Sequence, residues 1–116
     1  REMVEEATGS IVAAGVRLTS NISIGQQVVL NLNATVGNDV TLGDFTALMP
    51  NVSISGNVIL EEGVYVGVGA ATVNGTPERP LVIGAGATIG AGAVVVRDVE
   101  PGQTIVGIPG RPLDPR

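Results

Sequence analysis

A six-residue beat runs through this chain and holds for ten successive hexads. An aliphatic residue stands at Val12, Leu18, Ile24, Leu30, Val36, Leu42, Leu48, Ile54, Leu60 and Val66, and the beat fades at Thr72. Four residues after each comes a second, smaller series: Val16, Ile22, Val28, Ala34, Val40, Thr46, Val52, Val58, Val64 and Ala70. A period of six fits neither the 3.6 of an α-helix nor the 2 of a half-buried strand. It is the signature of an all-β fold, the parallel β-helix, in which short strands wind into a solenoid with one side chain per rung turned inward. Three hexads close one triangular coil, so residues eighteen apart stack at about 4.8 Å, the spacing of neighbouring strands.

Composition agrees with a narrow core. Among 116 residues the only aromatics are Phe45 and Tyr65, while glycine and small aliphatics abound. Stacked coils need no aromatic bulk, because each repeat packs only on its neighbours. The net charge of −5 argues against a nucleic-acid partner, which calls for a basic stripe to displace counterions. The sequence has no run of 18 apolar residues that would read as a membrane span, and no basic-then-apolar leader. It contains no cysteine, histidine or lysine, so neither thiolate nor imidazole chemistry is on offer and arginine carries every cationic side chain. Asn-x-Ser/Thr triplets at Asn21, Asn33, Asn51 and Asn74 read as turn chemistry rather than glycosylation.

The beat divides the chain. Residues 1–10 lie outside it and read as a remnant or linker, with Arg1 to Glu6 able to make one helical turn. Residues 11–100 read as the solenoid, about four to five coils, interrupted by a loop at 73–82 that carries Pro77 and Pro80. From Thr72 to Ile83 is eleven residues, one hexad plus five inserted; the beat then resumes at Ile83, Ile89 and Val95, with Ala87, Ala93 and Val99 as the smaller series. Beyond Pro101-Gly102 the chain is expected to leave the solenoid in a Pro-rich tail, 101–116, that caps the open sheet. Outward apolar residues such as Val29, Leu32, Met49, Ile59, Tyr65 and Val68 call for burial in an oligomer.

Four segments in order carry a resemblance: Gly37-Asn38-Asp39-Val40-Thr41-Leu42-Gly43-Asp44-Phe45, Ile54-Ser55-Gly56-Asn57-Val58, Ile89-Gly90-Ala91-Gly92-Ala93-Val94-Val95, and Val106-Gly107-Ile108-Pro109. Over residues 11–111 the chain resembles the hexapeptide-repeat acyltransferases, in particular the C-terminal domain of nucleotide-sugar and sialic-acid acetyltransferases. The resemblance implies a left-handed β-helix, a homotrimer, cytoplasmic localisation, acetyl-CoA as acyl donor, a sugar or nucleotide-sugar acceptor, and no metal. Family members carry an N-terminal nucleotide-sugar-binding domain, and the first ten residues would suit a truncation just after it.

The same resemblance assigns the site. The family's base is a histidine followed by an acidic residue, suited to take the acceptor's proton during attack on the thioester. Here Asn38 holds the histidine's place and Asp39 the acidic one. A carboxamide hydrogen-bonds but takes up no proton, and an exposed carboxylate is a weak base at neutral pH. The resemblance places Ala47, Val68 and Ala91 on the coenzyme groove; Ala47 stands where some members have a second histidine, and Val68 and Ala91 equally serve close coil packing. Arg97 and Arg111 read as solvated charges, with CoA phosphates as their alternative partners.

Hexad arithmetic adds that Asn38 and Asn74 are both third in their hexads, two coils apart. The inserted loop therefore leaves the Asn38 corner, about 10 Å along the axis, where it would wall a pocket or else be a tolerated surface insertion. Two functions follow: an acetyl-CoA-dependent sugar acetyltransferase domain impaired by the loss of its base, or a non-enzymatic or engineered trimeric scaffold. A γ-class carbonic anhydrase needs three histidines and is excluded, and the column Arg17, Thr35, Ser53, Ala71 is too irregular for an ice-binding face.

Overall fold

The computed structural model describes residues 4–6 and 9–113. It is a left-handed parallel β-helix of about five coils. The first sheet stacks β1 (Val4–Glu6), β4 (Ile22–Ile24), β7 (Val40–Leu42), β10 (Val58–Leu60) and β13 (Leu81–Ile83). The second stacks β2 (Ile11–Val12), β5 (Val29–Leu30), β8 (Ala47–Leu48), β11 (Tyr65–Val66), β14 (Thr88–Ile89) and β16 (Thr104–Val106), with β17 (Arg111–Pro112) at its edge. The third stacks β3 (Arg17–Leu18), β6 (Thr35–Val36), β9 (Ser53–Ile54), β12 (Ala71–Thr72) and β15 (Val94–Val95). No helix among the described residues is long and apolar enough to cross a membrane.

Both apolar series point inward, so each hexad contributes two core side chains rather than the single one expected. From Ile22 to Thr72 every member of either series is buried. Register makes columns of them: Leu30 pairs with Leu48, Leu48 with Val66, Val66 with Ile89, and Ile89 with Ile105. Thr46 breaks the apolar rule. It is fully buried, and its hydroxyl has no hydrogen-bond partner among the described residues. Leaving such a group unsatisfied costs about 1–3 kcal/mol. Thr46→Val, which keeps the shape, is expected to stabilise the fold by about 1 kcal/mol. A denaturant midpoint that fails to rise would contradict this.

The corners share a second, less visible rule. Asn21, Gln27, Asn33, Asp39, Phe45, Asn51 and Asn57 all have positive φ, between 55° and 64°, and from Gly63 onward glycine takes over. Left-handed backbone is costly for most L-residues and least so for Gly, Asn and Asp, which accounts for the asparagines. Three of the four Asn-x-Ser/Thr asparagines, Asn21, Asn33 and Asn51, occupy this turn position.

Three features differ from expectation. Residues Val4–Glu6 form a parallel strand, not a helical turn, with Val4 opposite Ile22 and Glu6 opposite Ile24. The inserted loop has the expected length, since Val58 pairs with Leu81, a step of 23 residues where a plain coil takes 18. The next coil is shortened: Thr88 pairs with Thr104, a step of 16, and Val99 bridges to Ile83 in the larger series rather than continuing the smaller one. The chain does not leave the solenoid at Pro101-Gly102, because β16 adds another rung to the second sheet. Only then does β17 turn back antiparallel, with Pro112 opposite Ile105. Proline lacks the N–H that another strand would need, so it suits this edge.

Candidate functional site

Asn38 and Asp39 form an exposed corner between β6 of the third sheet and β7 of the first. Stacked at the same corner are Ser20 and Gly56 in the flanking coils, then Asn74, and Arg97 at the equivalent place beyond the insertion. The Asn38 side-chain oxygen accepts hydrogen bonds from the Ser20 N–H at 3.3 Å and from the Ser20 hydroxyl at 3.2 Å. Asn74 repeats the device, its oxygen accepting from the Gly56 N–H at 3.1 Å. The Asp39 carboxylate accepts from the Asn21 amide. Both residues named from the sequence are therefore tied to the coil before them. Asn38 fastens adjacent coils at a solvent-facing corner and offers no proton-accepting site.

Val68 and Ala91 meet at a different corner, between the second and third sheets. They occupy equivalent turns in adjacent coils, and the Gly92 N–H donates to the Val68 carbonyl at 2.9 Å. Ala47 lies on the outer face of the second sheet, paired with Val29 and Tyr65. The structure thus groups Ala47, Val68 and Ala91 on one face and its far corner. It does not bring Asn38 to them: the whole third sheet lies between. Along this second face and corner Ile11 (62%), Leu32 (48%), Tyr65 (43%) and Val68 (50%) are exposed, a wide apolar strip for so small a surface.

The inserted loop leaves the Asn38 corner as expected, and it walls a cavity of about 550 Å³. The opposite wall is the turn at Val96, Arg97 and Asp98 rather than Asn38. A smaller cavity of about 260 Å³ adjoins it under the C-terminal tail, lined by Gln103, Pro109 and Arg111 and sharing Arg97 and Asp98. The sequence singled out Arg97 and Arg111 but not Arg79, which lines the larger cavity with Arg97. The signal that pairs them is the 23-residue step set by the loop, which carries Ala71 onto Val94 and, by the same offset, Asn74 onto Arg97.

No protein-family model matches the chain. GDP-perosamine N-acetyltransferase of Escherichia coli is 39% identical over 106 residues, 91% of this chain and 48% of that protein. Among solved structures, WeeI from Acinetobacter baumannii superposes with a TM-score of 0.95 at 41% identity, over 97% of this chain and 53% of that one. The relatives of this chain include sugar acetyltransferases of the hexapeptide-repeat family. A histidine-to-asparagine variant of perosamine N-acetyltransferase from Caulobacter crescentus, in complex with CoA and GDP-perosamine, matches with a TM-score of 0.83 at 30% identity, over 97% of this chain and 54% of that one. The chain spans about half the length of the relatives it matches.

Proposed function

We propose that this domain is the coenzyme-binding β-helix of an acetyl-CoA-dependent sugar N-acetyltransferase, with Asn38 in the place of the catalytic base. In such a transfer the acceptor amine attacks the thioester carbonyl; a C–N bond forms, the C–S bond breaks, and CoA leaves as thiol. The proton lost by the amine needs a base, and general-base help typically contributes ~10²–10⁴-fold. The observation that carries the reading is the Asn38 carboxamide on the exposed corner, holding Ser20 and unable to take up a proton. The resulting enzyme binds its coenzyme and is catalytically impaired.

Support for binding comes from the relatives. One is a GDP-perosamine N-acetyltransferase, and another, with a histidine changed to asparagine, forms a complex with both CoA and GDP-perosamine. Ala47, Val68 and Ala91 are assigned to the coenzyme groove. Because the third sheet separates them from Asn38, a complete site needs the Asn38 corner of one copy against the Val68 corner of another. A homotrimer supplies that arrangement and covers the apolar strip from Ile11 to Val68; light scattering should then return three times 11.7 kDa.

The second reading, a non-enzymatic trimeric scaffold, is favoured by the absence of histidine from the whole sequence. Gain of function separates the two. Asn38→His should release thiol from acetyl-CoA where the native chain does not, and a folded, coenzyme-bound Asn38→His that stays silent sinks the enzymatic reading.

A further inference from the structure

We propose that the cleft between the inserted loop and the Arg97 turn is a phosphate-binding site, in which the Arg79 and Arg97 guanidiniums hold a phosphate or diphosphate of the coenzyme or of a nucleotide-sugar. The owner of that phosphate rests on the function proposed above; the anion chemistry of the cleft does not. The volume, about 550 Å³, falls in the range of small-molecule sites. The chain is acidic, with only 6 basic residues against 11 acidic ones. Two of those cations nevertheless line this one cleft, and a third, Arg111, lines the adjoining cavity. Local cationic concentration against an acidic field marks where an anion is favoured. The planar guanidinium fork matches phosphate oxygens better than a point charge does.

The loop is also built to hold Arg79 in place. Thr76 and Arg79 exchange backbone hydrogen bonds, each 3.1 Å, and the Thr76 hydroxyl accepts from the Arg79 N–H at 3.0 Å. The loop's ends are pinned to the preceding coil, Gly75 N–H to the Gly56 carbonyl and Leu81 N–H to the Asn57 carbonyl, both 3.0 Å. A Cβ on Gly75 would collide with the Asn57 carbonyl and the Leu81 nitrogen, so only glycine lets the loop sit this close. Pro77 and Pro80 stiffen what remains. These bonds use backbone groups and the Thr76 hydroxyl and leave the Arg79 guanidinium out. With the backbone at Arg79 already ordered, binding has only its side chain left to fix. The one carboxylate lining the cleft, Asp98, accepts from the Val82 N–H at 2.9 Å and so is directed to the wall.

Calorimetric titration of the native chain, Arg79→Gln and Arg97→Gln with CoA, dephospho-CoA and guanosine diphosphate tests the proposal. Each variant is expected to lose about 10-fold in affinity for at least one probe, with unchanged thermal midpoint, while Arg17→Gln, on a distant coil, loses nothing. A loss confined to CoA places its 3′-phosphate in the cleft. A loss shared with dephospho-CoA places the diphosphate there, and a loss for guanosine diphosphate alone assigns the cleft to the nucleotide-sugar. Native affinity for every bound probe in both variants overturns the proposal. Should no nucleotide bind the native chain, it is the acetyltransferase reading that fails. Titration with inorganic pyrophosphate then decides about the cleft: NMR shifts at the Arg79 and Arg97 side chains support the site, and their absence overturns it.

Discussion

Asn38→His is expected to raise thiol release from acetyl-CoA by about 10²–10⁴-fold over the native chain when a nucleotide amino-sugar is supplied. The corner geometry says why the gain should be conditional on orientation. To act as base, an imidazole needs one bare nitrogen, with its other N–H donated to a fixed acceptor. Ser20 is positioned for this: its hydroxyl now donates to the Asn38 oxygen at 3.2 Å and can rotate to accept instead. Asn38→His,Ser20→Ala should therefore give back part of the gain. Asn38→Ala should release no more thiol than the native chain, since it removes the coil-to-coil contact and adds no base. If Asn38→His keeps its thermal midpoint and binds acetyl-CoA without gaining turnover, the enzymatic reading fails.

Leu48→Ala is expected to cost about 2–5 kcal/mol. Leu48 is completely buried, with Leu30 in the coil before it and Val66 in the coil after. The surrounding column is aliphatic and its backbone is held by ladder hydrogen bonds on both sides, so the cavity has little scope to collapse. A typical domain has only about 5–15 kcal/mol in total, and a solenoid spreads its stability over nearest-neighbour contacts. The denaturant midpoint should fall steeply. A shift equivalent to less than about 1 kcal/mol would mean that the column repacks.

What the sequence showed and hid can be traced to particular residues. Period six survives in the core because two inward positions per hexad take aliphatic side chains almost throughout, with Thr46 and Thr72 as exceptions, and Leu30, Leu48, Val66 and Ile89 keep it visible. The five-residue insertion was readable for the same reason. At the N-terminus Glu6 stands where the larger series calls for an aliphatic, so the strand Val4–Glu6 could not be seen in the pattern. At the other end the step from Val95 to Val99 is four rather than six, which disguised Val99 and the rung at Thr104–Val106. The left-handed corner position was hidden because Gln27, Asp39, Phe45 and Gly63 share a backbone angle and no side-chain property.

The candidate site divides in the same way. That Asn38 is an outward corner residue follows from its place in the hexad. That its carboxamide is engaged with Ser20 follows from a rotamer, which no spacing encodes. The pairing of Arg79 with Arg97 needs the loop's own fold as well as the 23-residue step, so Arg97 was noted in the sequence without its partner and Arg79 was missed.

The central claim is that coenzyme binding persists where the base is missing, and acetyl-CoA calorimetry on the native chain tests it most directly. A dissociation constant in the micromolar range, corresponding to about 8 kcal/mol of binding free energy, with no thiol released during the titration, is the expected result. An absence of binding heat from a folded chain at millimolar acetyl-CoA would contradict the account and leave the β-helix as a scaffold.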